Sequence, residues 1–381
     1  MNARWHASLT ADHRIQASID ATAIAHNLAL IRQRARQCAR PPRIWATVKA
    51  DAYGHGLALV LPGLVDADGI AVQYLSDAHA CRQAGWQGPI LVYAGLQSAS
   101  EAALLNIPGL HLVISHAAQI DWLSARPPRP EAPDVWLRFC GDLRLAGFDI
   151  AAYGRADARC RELAAQHRIG QIGHLNHYAH AEDEDGIAAA HALFRQATRD
   201  LPGPISTCNS AAMWRHAGHM AETDWIRPGL ALYGASPLPG THGPALGLRP
   251  AMTLTARLMS LQTVAAGESA GYRSSFVATQ ATRIGLVGCG YADGYPRHAA
   301  SGTPVLVNGH RSQVLGCITM DVTMIDLTGI ADAVPGAPVT LWGAPGLPVE
   351  TVAAAAGTIA AELLCGLTAR VPLVAHAAHP A

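Results

Sequence analysis

The sequence predicts an α/β chain: an eight-stranded (β/α) barrel followed by a mainly β C-terminal domain. Three observations predict it. Eight short, continuous apolar runs alternate with helix-like segments as far as about residue 233. After about residue 247 the texture turns to β-formers, and Asn308-Gly309 marks a hairpin turn. Between the two parts lies "GASPLPGTHGPALG" (234–247), whose glycines and prolines read as a linker. The expected division is an N-terminal segment at 1–14, the barrel at 15–246 and the β domain at 247–381.

The elements follow in order. Asp20 is a helix cap, and Ile24, Leu28, Ile31, Ala35 and Cys38 then fall on one stripe at helical spacing. The strand candidates are "RIWATV", "GIAVQY", "PILVYA", "LHLVIS", "DVWLRF", "IGQIGHL", "PISTC" and "IRPGLALYG". Continuous apolar runs of this length suit strands buried on both faces. The helix candidates between them include "SDAHACRQAG", "SASEAALLNI", "HAAQIDWLSA", "RADARCRELAAQH" and "DGIAAAHALFRQATRDL". Eight such repeats fit a closed TIM-type barrel better than the alternative, a doubly wound open sheet. In the C-terminal part, "AMTLTARLMSLQTV", "RIGLVGCG", "PVLVNGHRSQVLG", "VTMIDL" and "PVTLWG" read as strands. A helix is expected in "TVAAAAGTIAAELLCGL".

Composition narrows the function classes. The chain has 381 residues, 50% hydrophobic and 15% charged, with 28 basic and 28 acidic side chains. Zero net charge without a run of one sign argues against nucleic acid or an anionic membrane as partner, and a small ligand is expected. "MNARWHASLTADHRIQ" lacks a secretory apolar region, and no run is long enough to span a bilayer. Eight scattered cysteines without a C-x-x-C pair read as reduced thiols, which places the protein in the cytoplasm.

A barrel of this kind builds its site at the C-terminal ends of its strands. Lys49 and Tyr53 follow the first run, Arg144 lies beyond the fifth, His177 follows the sixth, and Asn209 and Ser210 follow the seventh. Arg227, Gly229 and Leu230 belong to the eighth. No acidic pair, metal cluster or Ser-His-Asp set accompanies them. The inventory suits a phosphorylated, carbonyl-bearing cofactor. A lysine amine condenses with an aldehyde, Ser210 and backbone N–H groups near Gly229 and Leu230 hold phosphate, and Arg227 faces a ring nitrogen.

"VKADAYGHG" (48–56) resembles the pyridoxal-phosphate lysine motif of alanine racemases. The resemblance continues in family order through "HLNHYAHAED", "CNSAA", "IRPGLALYG", "GCGYADGYPR" and "CITMD", from about residue 17 to 372. It implies that Lys49 carries pyridoxal 5'-phosphate and is one of two acid/base groups, with Tyr291 the other on the opposite face. A tyrosine of ordinary pKa about 10 is a poor base at neutral pH. By resemblance His177 supports it, and Arg227 contacts the pyridine nitrogen. Tyr53, Ser210, Gly229 and Leu230 match phosphate contacts. Arg144 matches an arginine near the phenolic oxygen and the substrate carboxylate. Met320 and Asp321 match a Met-Asp pair whose methionine lines the substrate site. In the family, Tyr291 and Met320 reach the site of the other subunit, which implies a homodimer with shared active sites.

Two departures stand out. Arg138 replaces a lysine that is often carbamylated in the family, and its spacing to Arg144 is one residue short. Ala369, before Arg370, replaces a tyrosine. The implied activity is racemisation of alanine, with serine or a broader set of amino acids as alternatives. A barrel-type amino-acid decarboxylase and a non-catalytic pyridoxal-phosphate carrier are further readings. Relatives of the first kind place an acid where Arg227 stands, and those of the second lack the β domain. No metal is expected: His174, His177 and His180 do not converge at either strand or helix spacing. "GESAG" (267–271) matches a serine-hydrolase pattern without the required strand–turn–helix setting.

Overall fold

A computed structural model describes residues 13–376. The N-terminal segment expected at 1–14 therefore lies outside the described residues apart from His13 and Arg14. The first strand, β1 (Ile15–Ile19), leads into a helix over Ala21–Ala35. The Asp20 side chain caps that helix by accepting from the backbone N–H groups of Thr22 and Ala23. Ile24, Leu28, Ile31 and Ala35 are buried on its inner stripe, and Cys38 lies beyond its end.

Eight parallel strands then close into a barrel: β2 (Arg43–Thr47), β3 (Gly69–Val72), β4 (Ile90–Val92), β5 (Leu110–Ile114), β6 (Asp134–Arg138), β7 (Ile172–Leu175), β8 (Ile205–Asn209) and β9 (Trp225–Arg227). β9 pairs back onto β2, with Arg43 opposite Trp225. The predicted (β/α) barrel is thus observed, each strand overlapping its apolar run. The last run differs in its second half: Leu230–Tyr233 is a 3₁₀ turn, because Pro228 lacks the N–H that a continuing strand needs. "SASEAALLNI" likewise forms only 3₁₀ turns over Ala99–Leu104.

Large aromatics fill the lower barrel. Trp45 stacks on Trp225 with ring centroids 4.1 Å apart, and Trp136 meets both edge-on at 6.5 Å. Two glycines in the strands make room for them. A Cβ on Gly69 would come within 2.2 Å of the Trp45 ring, and one on Gly173 within 2.6 Å of Trp136. Ala71, Leu91, Val113 and Leu175 complete this layer. Above it Thr47 and Tyr93 join hydroxyls at 2.9 Å, where the mouth begins.

The C-terminal part is a mainly β domain. Its central strand β10 (Met252–Val264) is followed by a small pair, β11 (Ser269–Ala270) and β12 (Phe276–Val277). β13 (Thr282–Val287) then pairs with β10. β14 (Pro304–Val307) and β15 (His310–Gln313) form the expected hairpin, with positive φ at both Asn308 and Gly309. β16 (Thr323–Asp326), β17 (Pro338–Trp342) and β18 (Leu373–Ala375) complete it. β1 pairs antiparallel with β10 and parallel with β18. The 15–246 range is corrected here: residues 15–19 belong to the C-terminal sheet, because their alternating burial suits a sheet with one covered face. The expected C-terminal helix is two, Val349–Ala355 and Ala360–Cys365, broken near Gly357 at φ 67°. "GESAG" contains β11 and leads into a short 3₁₀ turn at Tyr272–Ser274, not an α-helix. No helix among the described residues is long and apolar enough to cross a membrane.

Trp45→Ala should lower folding stability by about 3–5 kcal/mol, because its neighbours are fixed strand backbones that collapse poorly onto the void. Chemical denaturation of the two proteins measures the difference.

Candidate active site

Lys49 begins a left-handed turn. Ala50, Asp51, Ala52 and Tyr53 have φ of 54°, 51°, 57° and 52°, four consecutive residues with a Cβ in a region that costs each about 1–2 kcal/mol. The surroundings hold them there. Gly56 N–H donates to Asp51 O, and Leu57 N–H to the Asp51 carboxylate at 2.7 Å. Ala52 is fully buried, and Tyr53 stacks on Tyr233 at 4.9 Å. His55, also buried, packs on Tyr233 and meets Tyr53 O at 2.9 Å. Burial lowers the pKa of His55 to about 4, so it packs as a neutral ring. Gly54 closes the turn at φ 77°, against the Leu364 carbonyl.

The turn presents Lys49 and Tyr53 to a cavity of about 450 Å³ at the C-terminal ends of the barrel strands. Lys49, Tyr53, His177, Asn209, Ser210, Arg227, Gly229 and Leu230 all line it, as the sequence reading expects. So do Thr47, Gln73 and Tyr93, which that reading did not single out. Each sits at or just past the end of a predicted strand, so the strand-end rule was sufficient to find them. Among the described residues, no aspartate or glutamate lines the cavity.

Ser210, Gly229 and Tyr53 meet in one corner. Ser210 Oγ accepts from Gly229 N–H at 2.9 Å, and a Cβ on Gly229 would come within 2.5 Å of Tyr53 Oη. Burial raises the pKa of the Tyr53 phenol, so it remains a proton donor. Two hydroxyls and a glycine backbone in close approach form a donor corner suited to a phosphate, so the residues present fit that group.

Arg227, 4% exposed, donates to Ser206 Oγ and Asn176 O, each at 2.7 Å. It also lies 3.3 Å from His177 Nδ1. A guanidinium only donates, so Nδ1 accepts and the His177 proton sits on Nε2. Burial first, then the charges of Arg227, Arg138 and Lys49, lower the His177 pKa to about 3. Burial, Arg138 and Arg227 likewise lower the pKa of Lys49, making its neutral amine more accessible.

Three expected residues are elsewhere. Arg144 is exposed at φ 52° and does not line the cavity; Arg138, at the end of β6, does. Leu143 and Leu145, on either side of Arg144, line the cavity. Tyr291 and Met320 lie on the β domain, 39% and 52% exposed, and neither lines the cavity of its own chain. They are held together: Tyr291 N–H donates to Thr319 O and Ala292 N–H to Met320 O, each at 3.0 Å. Buried Asp293 anchors the loop through Arg14, Arg370 and Gly290 N–H, and Arg370 also meets Asp321 at 2.6 Å. Ala369 is exposed beside it.

The three histidines of the 174–180 segment go three ways. His174 meets Tyr153, His177 meets Arg227, and His180 meets Asp183. A separate group, His191, His219 and Glu222, has the spacing of metal ligands. It lies outside the mouth, and His191 there bridges Tyr178 at 2.8 Å and Glu222 at 3.1 Å.

Comparison with known proteins decides the family. The alanine racemase N-terminal domain matches residues 19–237 and the alanine racemase C-terminal domain matches residues 251–375. The chain belongs to the alanine racemase family. It is 42% identical over 369 residues to an alanine racemase of Bordetella petrii, covering 94% of this chain and 98% of that one. Against one from Methylibium petroleiphilum it is 44% identical over 370 residues, covering 96% and 99%. The structure is similar to the biosynthetic alanine racemase of Pseudomonas aeruginosa, with a TM-score of 0.86 at 40% identity, covering 94% of this chain and 98% of that chain. It is also similar to an alanine racemase of Bartonella henselae with covalently bound pyridoxal phosphate, with a TM-score of 0.81 at 26% identity over 94% and 98% of the chains. This chain is accordingly an isomerase that interconverts L- and D-alanine.

His177 links the site to acid stability. Its pKa falls from an ordinary 6.5 to about 3 in the fold, so between those values the unfolded chain binds a proton that the folded chain does not. Stability should therefore fall as pH drops from about 6.5 towards 3. His177→Gln should make that decline shallower, as read from denaturation midpoints across the range.

Proposed function

We propose that alanine is racemised by two bases, Lys49 Nζ and Tyr291 Oη, on opposite faces of its α-carbon. The observation that carries this is the placement of Lys49 at a cationic, acid-free mouth, its pKa lowered towards the neutral amine. Inversion requires that one group take the α-proton and the other deliver a proton from the far side. A single base would mostly restore the starting stereocentre.

Pyridoxal 5'-phosphate is the cofactor we assign to the mouth. Lys49 would hold its aldehyde carbon, Tyr53, Ser210 and the backbone at Gly229 and Leu230 would hold its phosphate, and Arg227 would contact its ring nitrogen. Bound there, it supplies the electron sink that acidifies the α-C–H bond. Arg227 fixes the His177 tautomer, leaving Nε2–H to donate to the Tyr291 oxygen and stabilise it when deprotonated. An aspartate or glutamate in place of Arg227 would favour the decarboxylase reading; the guanidinium favours racemisation.

Tyr291 and Met320 complete the mouth of a second copy, so the working unit is a homodimer with shared sites. Their paired loops, exposure and absence from the cavity of their own chain support this. Met320 then lines the substrate side. We place the enzyme in the cytoplasm, supported by eight unpaired cysteines, where it supplies D-alanine for the cell wall.

Three outcomes follow. In deuterated water, wild type should convert L-alanine to α-deuterated D-alanine, and Tyr291→Phe should reduce that rate by about 10²–10⁴-fold; an unimpaired Tyr291→Phe enzyme would sink the two-base reading. Co-expressing Lys49→Ala with Tyr291→Phe should restore about a quarter of wild-type activity through mixed dimers with one intact site. Gly229→Ala, by displacing Tyr53, should weaken cofactor retention by at least about tenfold, read by absorbance during dialysis.

A further inference from the structure

We infer that Arg138 receives the α-carboxylate of the amino-acid substrate, so that this chain uses the end of β6, not Arg144, to orient alanine. The inference rests on the alanine racemase reading of the same mouth.

The barrel order places Arg138. In the closed ring β2-β3-β4-β5-β6-β7-β8-β9, β6 stands directly across from β2. The phosphate-type corner belongs to the ends of β2, β8 and β9, through Tyr53, Ser210 and Gly229. Arg138 therefore faces the mouth from the wall opposite that corner.

Charge supports the same assignment. Among the described residues, Lys49, Arg138 and Arg227 are the lysine and arginine side chains lining the mouth, and no acidic side chain lines it. Lys49 is committed to the cofactor. Arg227 donates to Ser206, Asn176 and Thr207 and lies beside His177. The Arg138 side chain makes no hydrogen bond or ion pair with any described residue, and its Nε is buried without an acceptor. A desolvated donor set left open costs free energy until a ligand fills it. Once the amine of alanine is turned to the cofactor, its one remaining charged group is a carboxylate. The planar guanidinium matches a carboxylate with two parallel N–H donors. A fixed carboxylate also holds the α-carbon in place while protons leave and arrive on either side of it.

The test uses holoenzyme and propionate, which keeps the carboxylate and carbon skeleton of alanine but has no amine. Propionate binding is measured by titration calorimetry, and KM and kcat for L-alanine alongside it. Arg138→Gln should weaken propionate binding and raise KM by about 10- to 100-fold with cofactor content unchanged, and Arg138→Lys should recover part of both. The proposal is overturned if wild type fails to bind propionate, or if Arg138→Gln binds it within twofold of wild type. It is equally overturned if Arg138→Gln loses cofactor, or if Arg144→Gln is the variant that loses propionate. A wild-type enzyme that binds propionate through Arg138 yet does not racemise alanine would instead defeat the racemase reading and leave the carboxylate site standing.

Discussion

The site depends on one constrained piece of backbone, the left-handed turn that follows Lys49. Four residues with side chains hold positive φ, which isolated peptides avoid. They stay there because Ala52 is buried, Tyr53 lies on Tyr233, and Asp51 accepts from the next two turns of chain. That strain is useful. It lets a lysine and a tyrosine four residues apart both enter one cavity, the lysine as an attachment point and the tyrosine as a donor. A right-handed helix would turn the two side chains differently around its axis.

The barrel provides the rigidity that such a turn needs. Below the mouth, Trp45, Trp136 and Trp225 fill the interior, accommodated by the missing side chains of Gly69 and Gly173. Above them the described lining residues are cationic and include no carboxylate. There burial first, and neighbouring positive charges after it, lower the pKa values of Lys49 and His177. The same charges attract anionic ligands. One electrostatic arrangement thus favours both a neutral amine and a phosphorylated guest.

Much of this was legible in the sequence. All eight barrel strands overlap apolar runs, since strands buried on both faces have no polar side to interrupt them. Lys49, Tyr53, His177, Ser210, Arg227, Gly229 and Leu230 were found because a parallel barrel puts every strand end on one rim. The Asn308-Gly309 hairpin was legible because few residue pairs tolerate two positive φ angles. β1 was misplaced because a short alternating strand carries no mark of which sheet it joins. Residues 99–104 form 3₁₀ turns where the sequence predicts a helix, because helical composition does not by itself fix length or hydrogen-bond pattern.

By itself, then, the sequence determined the succession of elements, the family motifs and the rim residues, because these follow from local periodicity and strand-end placement. Only the tertiary structure decided which arginine faces the mouth. Arg138 and Arg144 are six positions apart and chemically identical in sequence. A turn with positive φ at Arg144 sends one outward, while the last residue of β6 points the other across the barrel. The separation of Tyr291 and Met320 from their own chain's cavity is decided the same way, by how the loops of the β domain stack on one another. Such contacts join residues far apart in the chain, and no local pattern encodes them.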